Sequence, residues 1–303
     1  MAPPSAAGAP ATPLTELGAG PVGVGAMRLS TAGRPDRGDA LATLRQIVDA
    51  GVRLLDTADA YCLDRADTGH NEALIAEALT GATRADVLVA TKGGHVRDDT
   101  GGWHTDGRPE HIVAACEASL RRLRRDVIDL YFFHRPDPAV PFVESVGALR
   151  TLVDAGKVRL AGLSNVDVAQ LEAASAIVDV AAVQNELSPD STESLPVLAA
   201  CNERGLDFLP WAPLGAAGAA SVGTRHPVLG QVAARHGCSP QRVAIAWLCS
   251  LDPVCLPIPG GRSAPRILDS VAGAGLVLSE QDAAALATLL DPDANRTPSS
   301  AGD

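Results

Sequence analysis

Lysine and tyrosine occur only twice each in 303 residues, as Lys92 and Lys157 and as Tyr61 and Tyr131. Arginine supplies nearly every other cation, so a lysine here marks a place where a compact ammonium has a specific job. Positive charge is in deficit: 25 Lys and Arg face 36 Asp and Glu, a net charge of -11. That balance argues against a nucleic-acid footprint or a basic patch laid on a membrane. No apolar run approaches the ~18–20 residues that span a bilayer. The six cysteines (Cys62, Cys116, Cys201, Cys238, Cys249 and Cys255) form no CxxC pair. Their scatter favours reduced thiols over a disulfide frame, and no His/Cys/carboxylate spacing matches a metal ligand set. Met1–Pro13 is Ala/Pro-rich and lacks the basic-then-apolar layout of a signal peptide. It reads as a disordered leader, and the protein as cytoplasmic.

A glycine-rich GxGxxG turn opening a helix is also missing. Gly18, Gly20, Gly23 and Gly25 lie before and within the first apolar run, which argues against a doubly wound nucleotide-binding sheet. What is present is a rich supply of core material, 46% hydrophobic residues. Short aliphatic runs read as strands at Val22–Met27, Arg53–Asp56, Val87–Thr91, Ile128–Phe133, Val158–Leu163, Ala182–Gln184, Asp207–Pro210 and Val254–Pro257. They mostly lack apolar/polar alternation, as strands covered on both faces do. Between them lie one-sided helical stripes, such as Ile112, Cys116, Leu120 and Leu123. Gly51 and Gly156 sit where helix C-caps belong. Eight strands, each followed by a helix, over roughly 250 residues predict a (β/α)8 TIM barrel. The expected layout is a leader at 1–13, one barrel domain at 14–290 and a flexible tail at 291–303. Leu14–Val24 reads as a hairpin or lead-in plugging the barrel bottom, and Leu276–Leu290 as an extra helix after it.

Active sites of such barrels lie at the C-terminal ends of the strands. The polar residues just past the runs are therefore the candidates: Asp56 and Tyr61, Lys92, His134, Ser164 and Asn165, Gln184, and Trp211. A phenol's ordinary pKa of about 10 is high for proton donation at neutral pH. An ammonium beside it lowers that value, and a carboxylate holds the ammonium in place. An imidazole can orient a substrate oxygen. Together these groups suit protonation of a carbonyl oxygen while a hydride, which only a cofactor can supply, reaches the carbon. Taken singly, each has a plainer reading as a strand-end cap, a packing residue or a buried histidine.

Seven ordered segments resemble the signatures of the aldo-keto reductase superfamily: 55–61, 89–94, 129–137, 162–165, 184–186, 211–215 and 258–260. The resemblance runs from about Val22 to Leu290 and is nearest to the pyridoxal reductases and potassium-channel β subunits. It implies an NADP(H)-dependent reductase of aldehydes or ketones, or the reverse alcohol oxidation, with NADP(H) preferred and NAD(H) as the alternative. It implies a catalytic set of Asp56, Tyr61, Lys92 and His134, with Tyr61 as general acid/base. It implies cofactor contacts at Ser164, Asn165 and Gln184 for the carboxamide and at Trp211 for the ring. Pro213, Leu214, Gly215, Ile258 and Gly260 follow in the same motifs, and Arg262, Ser263 and Arg266 fall at the 2′-phosphate. Asp269-Ser270 stands where the family often has Glu-Asn against the adenine. Cys62, His95 and Trp103 are candidates for the substrate pocket. The partner is a small carbonyl or alcohol. Alternatives are a nucleotide-binding regulatory subunit with negligible turnover, or a tailoring reductase of sugar or polyketide intermediates.

Overall fold

The computed structural model describes residues 12–81, 83–215 and 220–290. Residues 1–11 of the expected leader, residues 216–219 and the 291–303 tail lie outside the described residues. Among the described residues nine strands form: β1 Val24–Gly25, β2 Leu54–Asp56, β3 Leu88–Gly93, β4 His95–Arg97, β5 Trp103–Thr105, β6 Ile128–Phe133, β7 Val158–Ser164, β8 Val180–Gln184 and β9 Asp207–Phe208. Seven of them make one parallel sheet in the order β1-β2-β3-β6-β7-β8-β9. Helices including Arg37–Asp49, Pro109–Leu123, Phe142–Asp154 and Pro240–Leu251 connect them and pack outside. The result is the expected (β/α)8 barrel.

The eighth run, expected as a strand at Val254–Pro257, is not a regular strand. Pro257 and Pro259 have no N–H to give a ladder. Their carbonyls still accept from the N–H groups of Gly23 (3.0 Å) and Gly25 (3.1 Å). On the other side Leu256 donates to Phe208 (2.8 Å) and Ile258 to Pro210 (3.2 Å). The sheet therefore closes through 254–260 with half the usual donors.

The lead-in is not a hairpin but one helical turn, Pro13–Glu16. Thr12, expected in the leader, is buried: its hydroxyl donates to Asp207 Oδ1 (2.5 Å) and Leu14 N–H to Oδ2 (2.8 Å). The pair pins Leu14 into the barrel's inner core beside Leu54, Leu88, Leu130, Phe132, Leu209 and Leu256. The extra helix is present as Glu280–Leu286 followed by a tight turn, Ala287–Leu290.

Side chains of a strand alternate between faces. Leu54, Leu88, Ala90, Leu130, Phe132, Leu160, Ala182 and Leu209 belong to the inner core, while Leu55, Val89, Tyr131, Phe133 and Val183 face the helices. Two residues beyond the last inner apolar position stand Asp56, Lys92, His134, Gln184 and Trp211, so the same parity that fills the barrel aims them at its upper mouth. Among the described residues no helix is long and apolar enough to cross a membrane.

Candidate active site

Asp56 and Lys92 stand at neighbouring strand ends, Asp56 in register with Ala90, two residues before Lys92. Lys92 is fully buried, and its Nζ donates to both oxygens of Asp56 (2.7 Å each), to the Thr57 carbonyl (2.8 Å) and to the Tyr61 hydroxyl (3.0 Å). Tyr61 is carried by a turn after β2 that is tied down on several sides. Thr57 N–H donates to Ala90 (2.8 Å), Gly69 N–H to the Asp59 carbonyl (2.8 Å), and the Thr57 hydroxyl to Asn71 (2.6 Å). His134 follows β6, with its ring edge-on to Tyr61 at 5.8 Å between centroids.

The electrostatics follow from burial. Burial pushes the Asp56 carboxyl up, opposed by Lys92 and by a hydrogen bond from Gln184. Burial acts downward on Lys92, but Asp56 and Tyr61 outweigh it and hold the ammonium above its ordinary value. Tyr61 corrects the sequence-based expectation. Burial raises the phenol, and Lys92, which acts downward as expected, does not overcome it. His134 is driven well below the usual imidazole range by burial and by Lys92, so its ring is neutral. Its Nδ1 is buried without a partner. An orphaned lone pair costs less than an orphaned N–H, which assigns the proton to Nε2, the nitrogen left to face the cavity.

The mouth opens into one long cavity of about 1290 Å³. Of the expected site residues, Asp56, Tyr61, His134, Ser164, Asn165, Gln184, Trp211, Pro213, Leu214, Gly215, Ile258, Gly260, Arg262, Arg266, His95 and Trp103 line it. Lys92 lies beneath Tyr61. Lys92 and two other expected residues do not line it. Cys62 is turned inward with its Sγ 3.3 Å from the Ala60 carbonyl, and Ser263 sits at the N-cap of helix Ala264–Val271. Asn165 holds a left-handed φ of 59°, a conformation Asn tolerates. Its amide donates to the His134 carbonyl and Ser164 Oγ and accepts from Trp211 Nε1 (3.2 Å). Gly25 and Gly260 meet so closely that a Cβ on Gly260 would lie 2.5 Å from the Gly25 carbonyl.

His95 and Trp103, expected at the substrate pocket, lie on an antiparallel hairpin of β4 and β5. Their rings stack at 4.5 Å, His95 is edge-on to His134 at 4.9 Å, and the Arg97 guanidinium covers Trp103 at 3.6 Å. Burial, with Arg135 and Arg97, pushes His95 down to about 4. Sequence reasoning missed Arg28, Arg135, Glu186, Arg225 and Gln241, which also line the cavity. Glu186 could have been found by carrying the strand parity one step past Gln184. Arg225 could not: it reaches the cavity from its own short helix, anchored to Asp190 by two bonds (2.9 and 2.6 Å).

Comparisons with known proteins identify the family and the fold. The sequence profile described as "Aldo/keto reductase family" matches residues 21–291. An uncharacterised oxidoreductase of Schizosaccharomyces pombe is 32% identical over 264 residues, covering 86% of this chain and 83% of its own. A probable aldo-keto reductase of Glycine max is 30% identical over 273 residues, covering 80% and 77%. Among solved structures, a glycerol dehydrogenase of Gluconobacter oxydans superposes with a TM-score of 0.79 at 23% identity, covering 94% of this chain and 95% of its own. The chain belongs to the aldo/keto reductase family.

Proposed function

We propose that this oxidoreductase is an NADP(H)-dependent carbonyl reductase in which Tyr61 is the general acid. The observation that carries the reading is the Lys92 ammonium, held by both Asp56 oxygens at 2.7 Å and placed 3.0 Å from the Tyr61 hydroxyl at the cavity floor. The residues present fit a nicotinamide dinucleotide. The cavity exceeds the ~300–1,000 Å³ of an ordinary small-molecule pocket. In a chain of net charge -11, five arginines line it: Arg28, Arg135, Arg225, Arg262 and Arg266. Ser164 Oγ accepts from Asn165, which leaves its own proton for a carboxamide oxygen. Pro213, Leu214 and Gly215 flank the span toward Gly260, Arg262 and Arg266, where a 2′-phosphate would meet a helix N-terminus. When bound, the reduced nicotinamide supplies the hydride.

His134, neutral and protonated on Nε2, donates to the carbonyl oxygen and turns it toward Tyr61. Tyr61 hands that oxygen its proton, and Lys92 stabilises the phenolate left behind, its own charge fixed by Asp56. Burial holds the phenol's acidity below its ordinary strength, so Tyr61 carries the proton that a general acid must donate. His95 and Trp103 wall the substrate side. Six free thiols support a reducing, cytoplasmic setting.

The test is Tyr61→Phe, assayed by NADPH oxidation over a panel of aldehydes and ketones. Turnover should fall by at least ~10²-fold, the lower range for loss of a positioned proton donor. NADPH affinity should change by less than about 2-fold. A variant retaining more than a tenth of the wild-type rate removes Tyr61 from the role.

A further inference from the structure

Gln184 makes a contact that its expected role at the carboxamide does not require. Its Nε2 donates to Asp56 Oδ1 at 2.8 Å. The two residues sit on β8 and β2, which are not neighbours: β3, β6 and β7 lie between them in the sheet. The bond therefore crosses the barrel's interior, between side chains that are both almost fully buried. Both ends are fixed by backbone. Gln184 pairs in register with Ser164, and its carbonyl accepts from Asn165 N–H at 3.1 Å.

We infer that Gln184 is a positioning residue for the acid: by holding Asp56 it decides how much of the Lys92 ammonium is left for Tyr61. An ammonium has three protons, and Lys92 Nζ faces four acceptors: two Asp56 oxygens, the Thr57 carbonyl and the Tyr61 hydroxyl. One proton must be shared or one acceptor neglected. The Gln184 N–H fills a lone pair of Oδ1 and fixes the rotation of the carboxylate. Without it, Asp56 draws the ammonium harder and Tyr61 loses its share.

The bond also acts in reverse. A carboxylate can only accept, so the Gln184 amide must point its nitrogen at Asp56 and its oxygen elsewhere. Gln184 lines the cavity, so that oxygen is an acceptor for a carboxamide NH2. One side chain thus links the carboxamide-facing wall to the Lys92 cluster, a coupling that is reciprocal between the two ends.

Gln184→Met keeps the length and removes the donor. The nucleotide-free chain gives the first readout. With only two lysines, a sample labelled with [13Cε]lysine shows two resonances, and Lys157→Arg assigns them. The substitution should move the Lys92 resonance and leave that of Lys157 in place. An unmoved Lys92 resonance overturns the inference, whatever the turnover. Should Gln184→Met fail to fold, Gln184→Glu sets a second carboxylate against Asp56 and should move the same resonance.

The second readout rests on the reductase reading. In the acetylpyridine analogue of the cofactor, a methyl ketone replaces the carboxamide, so no NH2 remains for Gln184 to accept from. If Gln184 acted only on the carboxamide, the wild type and Gln184→Met would turn over alike with this analogue, and the inference would fail. Acting through Asp56, the substitution should still lower kcat by ~10-fold with the analogue, with nucleotide Kd equal within about 2-fold. Absence of wild-type turnover with either cofactor would count against the reductase reading, leaving the resonance test to decide the inference.

Discussion

Asp59 is a buried acid for which the proposed chemistry has no use. Its Oδ1 has no partner, and burial, reinforced by Glu72, pushes its carboxyl up to about 8. Glu72 is itself engaged, by Arg122 at 2.6 Å and by the Thr91 hydroxyl at 2.6 Å. Asp59 is thus the member of the pair that holds a proton at neutral pH. In the unfolded chain it would ionise near 4. The folded value is the higher one, so the cost of keeping the proton is absent below pH 4, grows as pH rises, and is complete above about 8. Asp59→Asn should remove that cost and stabilise the fold by about 2–4 kcal/mol at pH 7. Thermal melts at pH 4, 7 and 8.5 check it: the gain should be near zero at pH 4 and largest at pH 8.5. A gain independent of pH would show that Asp59 is ionised throughout. Nothing local in the sequence marks this residue, because the carboxylate and guanidinium that define its surroundings come from the helices His70–Ala78 and Pro109–Leu123. Asp56, Lys92 and His134 were legible because strand parity alone aims them. Reading Lys92 beside Tyr61 gave the right partner and the wrong net effect, since a sequence shows the cation but not how completely the barrel excludes water.

Elements were legible where their pattern is internal. β6 matches its expected bounds, Ile128–Phe133, because five of its six residues are aliphatic or aromatic and only Asp129 interrupts them. The β4–β5 hairpin was not, as its two three-residue strands are too short to carry a period and exist by pairing with each other. The eighth strand failed because two prolines remove donors that a run of aliphatic residues appears to promise. Helix Ala264–Val271 follows the cation-bearing segment and has Pro265 in its first turn, where a missing N–H costs nothing. Arg262 spends one contact on the Ala32 carbonyl (2.9 Å), and Asp269 is already taken by Arg242 (2.8 Å) and the Ser239 hydroxyl. On the proposed NADP(H) reading, recognition of the 2′-phosphate would fall to Arg262 and Arg266, with Asp269 already engaged. Arg262→Ala and Arg266→Ala should each raise the Kd for NADPH by roughly 10-fold, in line with a lost charge-assisted hydrogen bond. The Kd for NADH, measured by the same calorimetric titration, should stay within about 2-fold. Equal losses for both nucleotides would move the 2′-phosphate away from these side chains.

At the scale of the whole molecule the barrel divides its labour between two ends. The upper mouth collects charge that is costly to hold: a buried ammonium, a buried carboxylate, an imidazole held neutral and the five guanidinium groups along the cavity. The lower end must make up the difference, and its closure depends on one carboxylate. Asp207, raised by burial, receives the Thr12 hydroxyl and the Leu14 N–H and through them seats the plug. Asp207→Ala would leave the Leu14 N–H without an acceptor and the Thr12 hydroxyl with only Thr15 Oγ1 at 3.1 Å, and would loosen Leu14 from the inner core. The orphaned N–H, at about 1–3 kcal/mol, with the loosened plug predicts a melting temperature lower by roughly 5 °C. The mouth is formed by strand ends on the opposite side, so kcat at 25 °C should change by less than about 2-fold. Melting followed by circular dichroism, with turnover on the same sample, separates the outcomes. A melting temperature unchanged by Asp207→Ala would mean that the plug is held by apolar contact alone. A loss of turnover without a loss of stability would mean that the two ends are not independent.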